Sequence, residues 1–101
     1  MDIKRKLKNE INNIHQDLIE AVSLNKIDEW LDGCVDFYLI YNRNHVYVSA
    51  EIIVTLNGPT ITLYTRTGQL VGTWFDEQHI DYIGDDYISV LDEFIKDNYS
   101  I

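Results

Sequence analysis

The stretch AEIIVTLNGPTITLYTRTGQLVGTWF, Ala50–Phe75, decides the fold. Three runs rich in β-branched and aromatic residues are parted there by two glycine turns, Asn57-Gly58 and Thr67-Gly68. Asn-Gly between alternating apolar runs is the strongest short-range hairpin signal. Two-residue turns at both sites set Val54 against Ile61, Ile52 against Leu63, and Ile61 against Trp74. All of these side chains then point to one face, as the two-residue period of a strand demands. Gly72 falls opposite Leu63 on that face, and its missing side chain leaves room for a helix to approach. Pro59 donates no ladder hydrogen bond, which the start of a strand tolerates.

Toward the N-terminus the alternation continues through His45–Leu56, with Val46, Val48, Ala50, Ile52, Val54 and Leu56 on the inner face. A tight turn at Arg43-Asn44 leads back to a first strand, Cys34–Asn42, with Val35, Phe37, Leu39 and Tyr41 inward. This register puts Leu39 on Val48 and Phe37 on Ala50, and sets Asp36 directly opposite Glu51 on the outer face. Like charges so placed destabilise a sheet, and Arg66, diagonal to Glu51, is the nearest cation to relieve them.

Ile3, Leu7, Ile11, Ile14, Leu18 and Val22 recur at helical spacing, predicting a helix with one apolar stripe from about Asp2 to Leu24. Asn25 suits the cap of a short helix, Lys26–Asp32, and Gly33 suits its left-handed stop. Beyond Phe75, DEQHIDYIGD reads as a polar link, followed by a helix from Asp85 or Asp86. Its stripe is Tyr87, Val90, Leu91, Phe94 and Ile95. The expectation is a single α+β domain over residues 1–101. It has an N-terminal helix plus a short helix, a four-stranded antiparallel meander and a C-terminal helix, with the helices on one face of the sheet.

A chain of 101 residues that is 46% hydrophobic can bury a core without staples. The single cysteine, Cys34, forms no internal disulfide, which fits a reducing compartment. No apolar run approaches the length of a membrane span, and no apolar stretch follows the basic N-terminal residues as in a secretion signal. The expected location is therefore the cytoplasm, with no membrane partner.

Net charge is −9 and unevenly placed. Lys4, Arg5, Lys6 and Lys8 gather at the N-terminus, whereas Asp76, Glu77, Asp81, Asp85, Asp86, Asp92, Glu93 and Asp97 face only Lys96 in the C-terminal quarter. Direct nucleic-acid binding by such a chain is repelled. A basic protein partner, or solubility alone, accounts for the charge. Carboxylates spaced along a surface can also stand in for the phosphates of a duplex and occupy the basic groove of a nuclease.

Catalytic patterns are absent from the sequence. Cys34 and the three histidines, His15, His45 and His79, lie far apart and match no nucleophile signature. The run 76–81 holds carboxylates beside His79 and invites a divalent ion, but a solvated acidic loop needs no second ligand cluster. No cofactor and no metal are expected. The outer sheet face carries Tyr38, Ile40, Tyr47, Ile53, Tyr64, Arg66, Val71 and Phe75 with no layer left to cover them. Tyrosine and arginine are what interface cores favour, and a homodimer through the same face is the alternative occupant.

The segment GPTITLYTRTGQLVGTW, Gly58–Trp74, followed by an acidic C-terminal helix, resembles hairpins of small acidic proteins encoded by phages and plasmids of Gram-positive bacteria. Some of these are anti-CRISPR or anti-restriction inhibitors that bind a defence nuclease and act stoichiometrically. The resemblance implies a non-enzymatic inhibitor and supplies no catalytic residues. Its expected partner is a basic bacterial nuclease, such as a Cas9-type effector. The alternatives are an immunity or antitoxin protein blocking a basic toxin, or a small enzyme or metal-binding protein using the acidic run. The candidate contact residues are Asp36, Tyr38, Glu51, Tyr64, Arg66, Asp76, Glu77, Asp81, Asp85, Asp86, Asp92 and Glu93.

Overall fold

A computed structural model describes residues 2–100. In chain order the elements are α1 (Ile3–Ser23), α2 (Ile27–Asp32), β1 (Asp36–Tyr41), β2 (Tyr47–Thr55), β3 (Thr60–Tyr64), β4 (Gln69–Trp74), β5 (Glu77–Tyr82) and α3 (Asp85–Tyr99). The strands form one antiparallel sheet in the order β1-β2-β3-β4-β5, with the helices on one face. No helix among the described residues is long and apolar enough to cross a membrane.

The α+β layering is as expected, with one strand more than the sequence announces. Residues 77–82, read as a polar link, form β5 along the β4 edge. Its inner side carries Glu77, His79 and Asp81 in place of apolar residues. Charged side chains turned inward are one way an exposed sheet edge is kept from pairing with other chains. A two-residue turn, Phe75-Asp76, joins β4 to β5 and holds Phe75 at φ +54°, a backbone conformation bulky residues rarely adopt.

Between β2 and β3 Ile52 pairs with Leu63 as expected, but an irregularity past Ile53 brings Thr55, not Val54, opposite Ile61. Two other registers differ from the sequence reading by two residues. Tyr64 pairs with Gln69, so Thr65–Gly68 make the β3–β4 turn, with Gly68 at φ +75° donating its N–H to the Tyr64 carbonyl. Ile61 therefore faces Gly72 and Leu63 faces Leu70, while Trp74 sits half-buried opposite Glu77 and stacks on Phe75. Between β1 and β2 the longer turn holds His45 at φ +62° and uses Asn42 Oδ1 to accept from the N–H groups of Asn44 and Val46. Phe37 then pairs with Ile52, Leu39 with Ala50, and Tyr38, not Asp36, with Glu51. A shift of two keeps every side chain on its face. The expected Asp36–Glu51 clash does not exist: Asp36 lies opposite Ile53 and accepts the Phe37 N–H at 2.8 Å.

The irregularity between Ile40 and Tyr41 changes the end of the sheet. Past it Tyr41 pairs with Tyr47, and Tyr47 turns to the helix side, away from the outer face expected for it. Val46 and Val48 are left exposed, as are Val35 and Leu56 beyond the strand ends.

Helix α1 opens with Asp2 accepting the Arg5 N–H and buries Leu7, Ile11, Ile14, Leu18 and Ala21. It lies across β4 and β5. A methyl placed on Gly72 would stand 2.6 Å from Ile11 Cδ1 and 2.9 Å from Leu7 Cδ1, so the helix rests on that glycine's bare backbone. Asn25, at φ +58°, ends α1 in place of capping α2, and Gly33 is right-handed at φ −80°. In α3 the buried stripe is Ile88, Leu91 and Ile95, flanked by Tyr87 and Phe94, while Val90 is exposed. The core between the layers joins these residues to Ala50, Ile52, Ile61, Leu63 and Leu70.

Candidate partner-binding surface

The structure distributes the candidate contact residues over two opposite sides of the molecule. One side is the outer surface of α3. Asp85 and Asp86 occupy its first turn, and Asp86, Val90, Glu93 and Asp97 follow at spacings of four, three and four residues, all exposed. Residues so spaced share one helix face. Asp92 belongs elsewhere: it is half-buried and accepts the Tyr47 hydroxyl at 2.5 Å, bolting α3 to β2. Burial and the neighbouring Asp92 carboxylate push the Tyr47 phenol well above its ordinary pKa, so it remains the donor.

Near β5, Asp76 is exposed in the turn and Glu77 is half-buried. Asp81 is committed to the fold. Its Oδ2 lies 2.6 Å from His15 Nδ1 of α1, and its Oδ1 accepts the Tyr82 N–H at 2.9 Å. Partial burial raises the Asp81 pKa, but these hydrogen bonds and the His15 and His79 imidazoles outweigh it and hold the carboxyl below its usual value. A carboxylate held low when folded stabilises the fold above its unfolded pKa, near 3.9, and that contribution is lost as pH falls through the folded value. Asp81→Asn should therefore lower the melting temperature at pH 7, with the gap to the parent closing below about pH 4. Melts recorded from pH 2 to 7 test this; a gap that persists at pH 2 would mean the carboxylate's charge is not what α1 uses.

The second side is the uncovered face of the sheet. Tyr38, Glu51, Tyr64, Gln69 and Tyr82 are successive cross-strand partners and form one row across all five strands. Asp36, Ile53, Thr62, Val71 and Ile80 form the row beside it. Tyr38 is 52% exposed and Tyr82 62% exposed; Phe75, also expected on this face, instead sits 80% exposed in the β4–β5 turn, at the other end of β4 from Gln69 and beside the start of α1. Beside Glu51 the face dips into a groove of about 260 Å³ bordered by Ile40, Tyr64, Arg66 and Gln69. The sequence reading missed Gln69 and Tyr82. Gln78, Ile80 and Tyr82 alternate with polar residues, a strand signal masked by the charge on the other side of β5.

Cys34 is half-buried; burial pushes its thiol up to about 12, and its sulfur donates to the Trp30 carbonyl, a setting that disfavours the thiolate. His45 stands in an exposed turn, away from the His15–Asp81 pair. Among the described residues no three His, Cys, Asp or Glu side chains converge as a metal cage would require. No protein-family model, curated protein or solved structure matches the chain.

Proposed function

We propose that the protein is a non-enzymatic binding module that neutralises a basic protein surface, most concretely as an inhibitor of a bacterial DNA-targeting nuclease. The observation that carries this reading is the unneutralised charge. In a chain of net charge −9, the one ion pair among the described residues is His15–Asp81, and Asp85, Asp86, Glu93 and Asp97 of α3 are exposed with no ion-pair partner among those residues. Carboxylates already paired at home have little to offer a partner; these retain their full charge for one. In a Cas9-type effector the nucleic-acid heteroduplex lies in a positively charged channel, a surface to which such a helix is complementary. The Asp86, Glu93 and Asp97 carboxylates repeat along α3 at about 6–10 Å, from a rise of about 1.5 Å per residue, an array suited to lysines and arginines that otherwise track a phosphate backbone. The test is titration of DNA cleavage by a guide-loaded Cas9-type effector. Stoichiometric loss of cleavage is expected; an unaltered rate at tenfold excess would contradict the nuclease assignment.

A further inference from the structure

We propose that Glu51, set between Tyr38 and Tyr64 on the open sheet face, receives an arginine side chain from a basic protein partner. This rests on the reading that the partner is basic, and it assigns a second contact on the side of the molecule opposite α3.

The local register makes the pocket. Tyr38 and Tyr64 are the direct cross-strand neighbours of Glu51, one on either side. Their backbones are therefore about 10 Å apart, two strand spacings. A flat guanidinium or its methylene stem between two rings needs about 7–8 Å, two van der Waals contacts, so the gap accommodates one such group above Glu51. Each element of the pocket favours the same occupant. The ring faces attract a cation, the carboxylate at the base accepts paired N–H donors, and the adjoining groove takes the aliphatic stem.

The two halves of the tyrosine row differ in a way that marks this half as the open one. At the β4–β5 end Gln69 Nε2 donates to the Tyr82 hydroxyl at 3.4 Å, so the row is paired within the chain. At the β1–β3 end the Glu51 carboxylate makes no hydrogen bond or ion pair among the described residues. Arg66, the base that shares this groove, lies exposed in the β3–β4 turn on its rim and stays beyond ion-pair distance of Glu51. Arg66 is thus a competitor for the site. Removing it clears a like charge from the path of an incoming cation, so its loss should strengthen binding, the reverse of what a contact residue shows.

The probe is an acetylated, amidated hexa-arginine peptide, with hexa-citrulline as its uncharged isostere, followed by amide chemical shifts of the full-length protein. The arginine peptide should shift Tyr38, Glu51 and Tyr64 in a salt-sensitive way, and the citrulline peptide should not. Glu51→Gln should weaken these shifts about tenfold in apparent affinity, and Arg66→Ala should strengthen it about threefold. Shifts confined to α3, or a Glu51→Gln protein of parental spectrum that binds unchanged, would overturn the pocket. No nuclease enters this experiment, so its outcome is separate from that of the cleavage titration. A protein that inhibits the effector while the peptide leaves Glu51 unmoved retains the proposed function and loses this pocket; the opposite pairing retains the pocket and loses the nuclease.

Discussion

Converting Asp85 and Asp86 to Asn, Glu93 to Gln and Asp97 to Asn is expected to weaken binding to a basic nuclease by about a hundredfold at 0.15 M salt, with the fold intact. The choice of residues follows from the structure. Asp92 lies in the same acidic run, but its carboxylate holds the Tyr47 hydroxyl, and neutralising it would confuse loss of binding with loss of the β2–α3 contact. Asp81 is excluded for its His15 bond. The four chosen side chains are exposed. Their removal costs at most the small macrodipole benefit of Asp85 and Asp86 in the first turn, against relief of repulsion between Glu93 and Asp97 one turn apart. Each carboxylate that meets a basic side chain steepens the salt dependence by roughly one in log–log slope, by analogy with phosphate contacts. The variant should therefore bind with a slope shallower by roughly three to four. Isothermal titration at several salt concentrations reads both quantities. Parental affinity and slope would move the partner site off α3 altogether.

Gly72→Val is expected to destabilise the fold by about 2–3 kcal/mol, a fall in melting temperature of about 4–8 °C for each kcal/mol in a domain of this size. Strand propensity alone predicts the opposite sign, because valine suits an interior strand position and glycine weakens it. Steric overlap decides the outcome. Even the first carbon of the new side chain would stand within 3 Å of Ile11 Cδ1 and Leu7 Cδ1, and overpacking displaces a helix that is otherwise seated on the sheet. Ile11→Ala in the same chain should restore part of the loss, although Ile11→Ala alone leaves a cavity and costs about 2–5 kcal/mol. The double-mutant cycle should thus show favourable coupling of about 1–3 kcal/mol. A neutral Gly72→Val, or strict additivity with Ile11→Ala, would place α1 somewhere other than over β4.

The inner face of the sheet was legible in the sequence because apolar alternation fixes which side chains face the core. It does not fix the partner across the strand. Ile61 was matched to Trp74 instead of Gly72, and Asp36 to Glu51 instead of Ile53. Both slips are of two residues, the one error that alternation cannot expose. Their origin is turn length: Thr67-Gly68 and Arg43-Asn44 resemble two-residue turns, yet the chain uses wider ones stabilised by Gly68 and by the Asn42 side chain. Strand β5 was hidden for a different reason. A buried strand advertises itself by apolar residues, whereas β5 turns Glu77, His79 and Asp81 inward beneath α1 and stabilises Asp81 with one histidine from a helix 66 residues away in sequence. The tyrosine row shares that limit, since Tyr82 joins Tyr64 and Tyr38 only once β5 is paired and the β1 register is known. The acids of α3 were visible as composition, but which of them are free and which are bonded is a property of packing.

The most direct measurement is the cleavage titration run in both orders of addition, with a guide-loaded Cas9-type effector, its target DNA and this protein. If the acidic surface occupies the basic channel, adding the protein before DNA should reduce cleavage linearly, reaching zero near one or two equivalents, whereas effector already loaded with DNA should be largely spared. Cleavage that proceeds at the parental rate at tenfold excess of folded protein, in either order, would contradict the central claim.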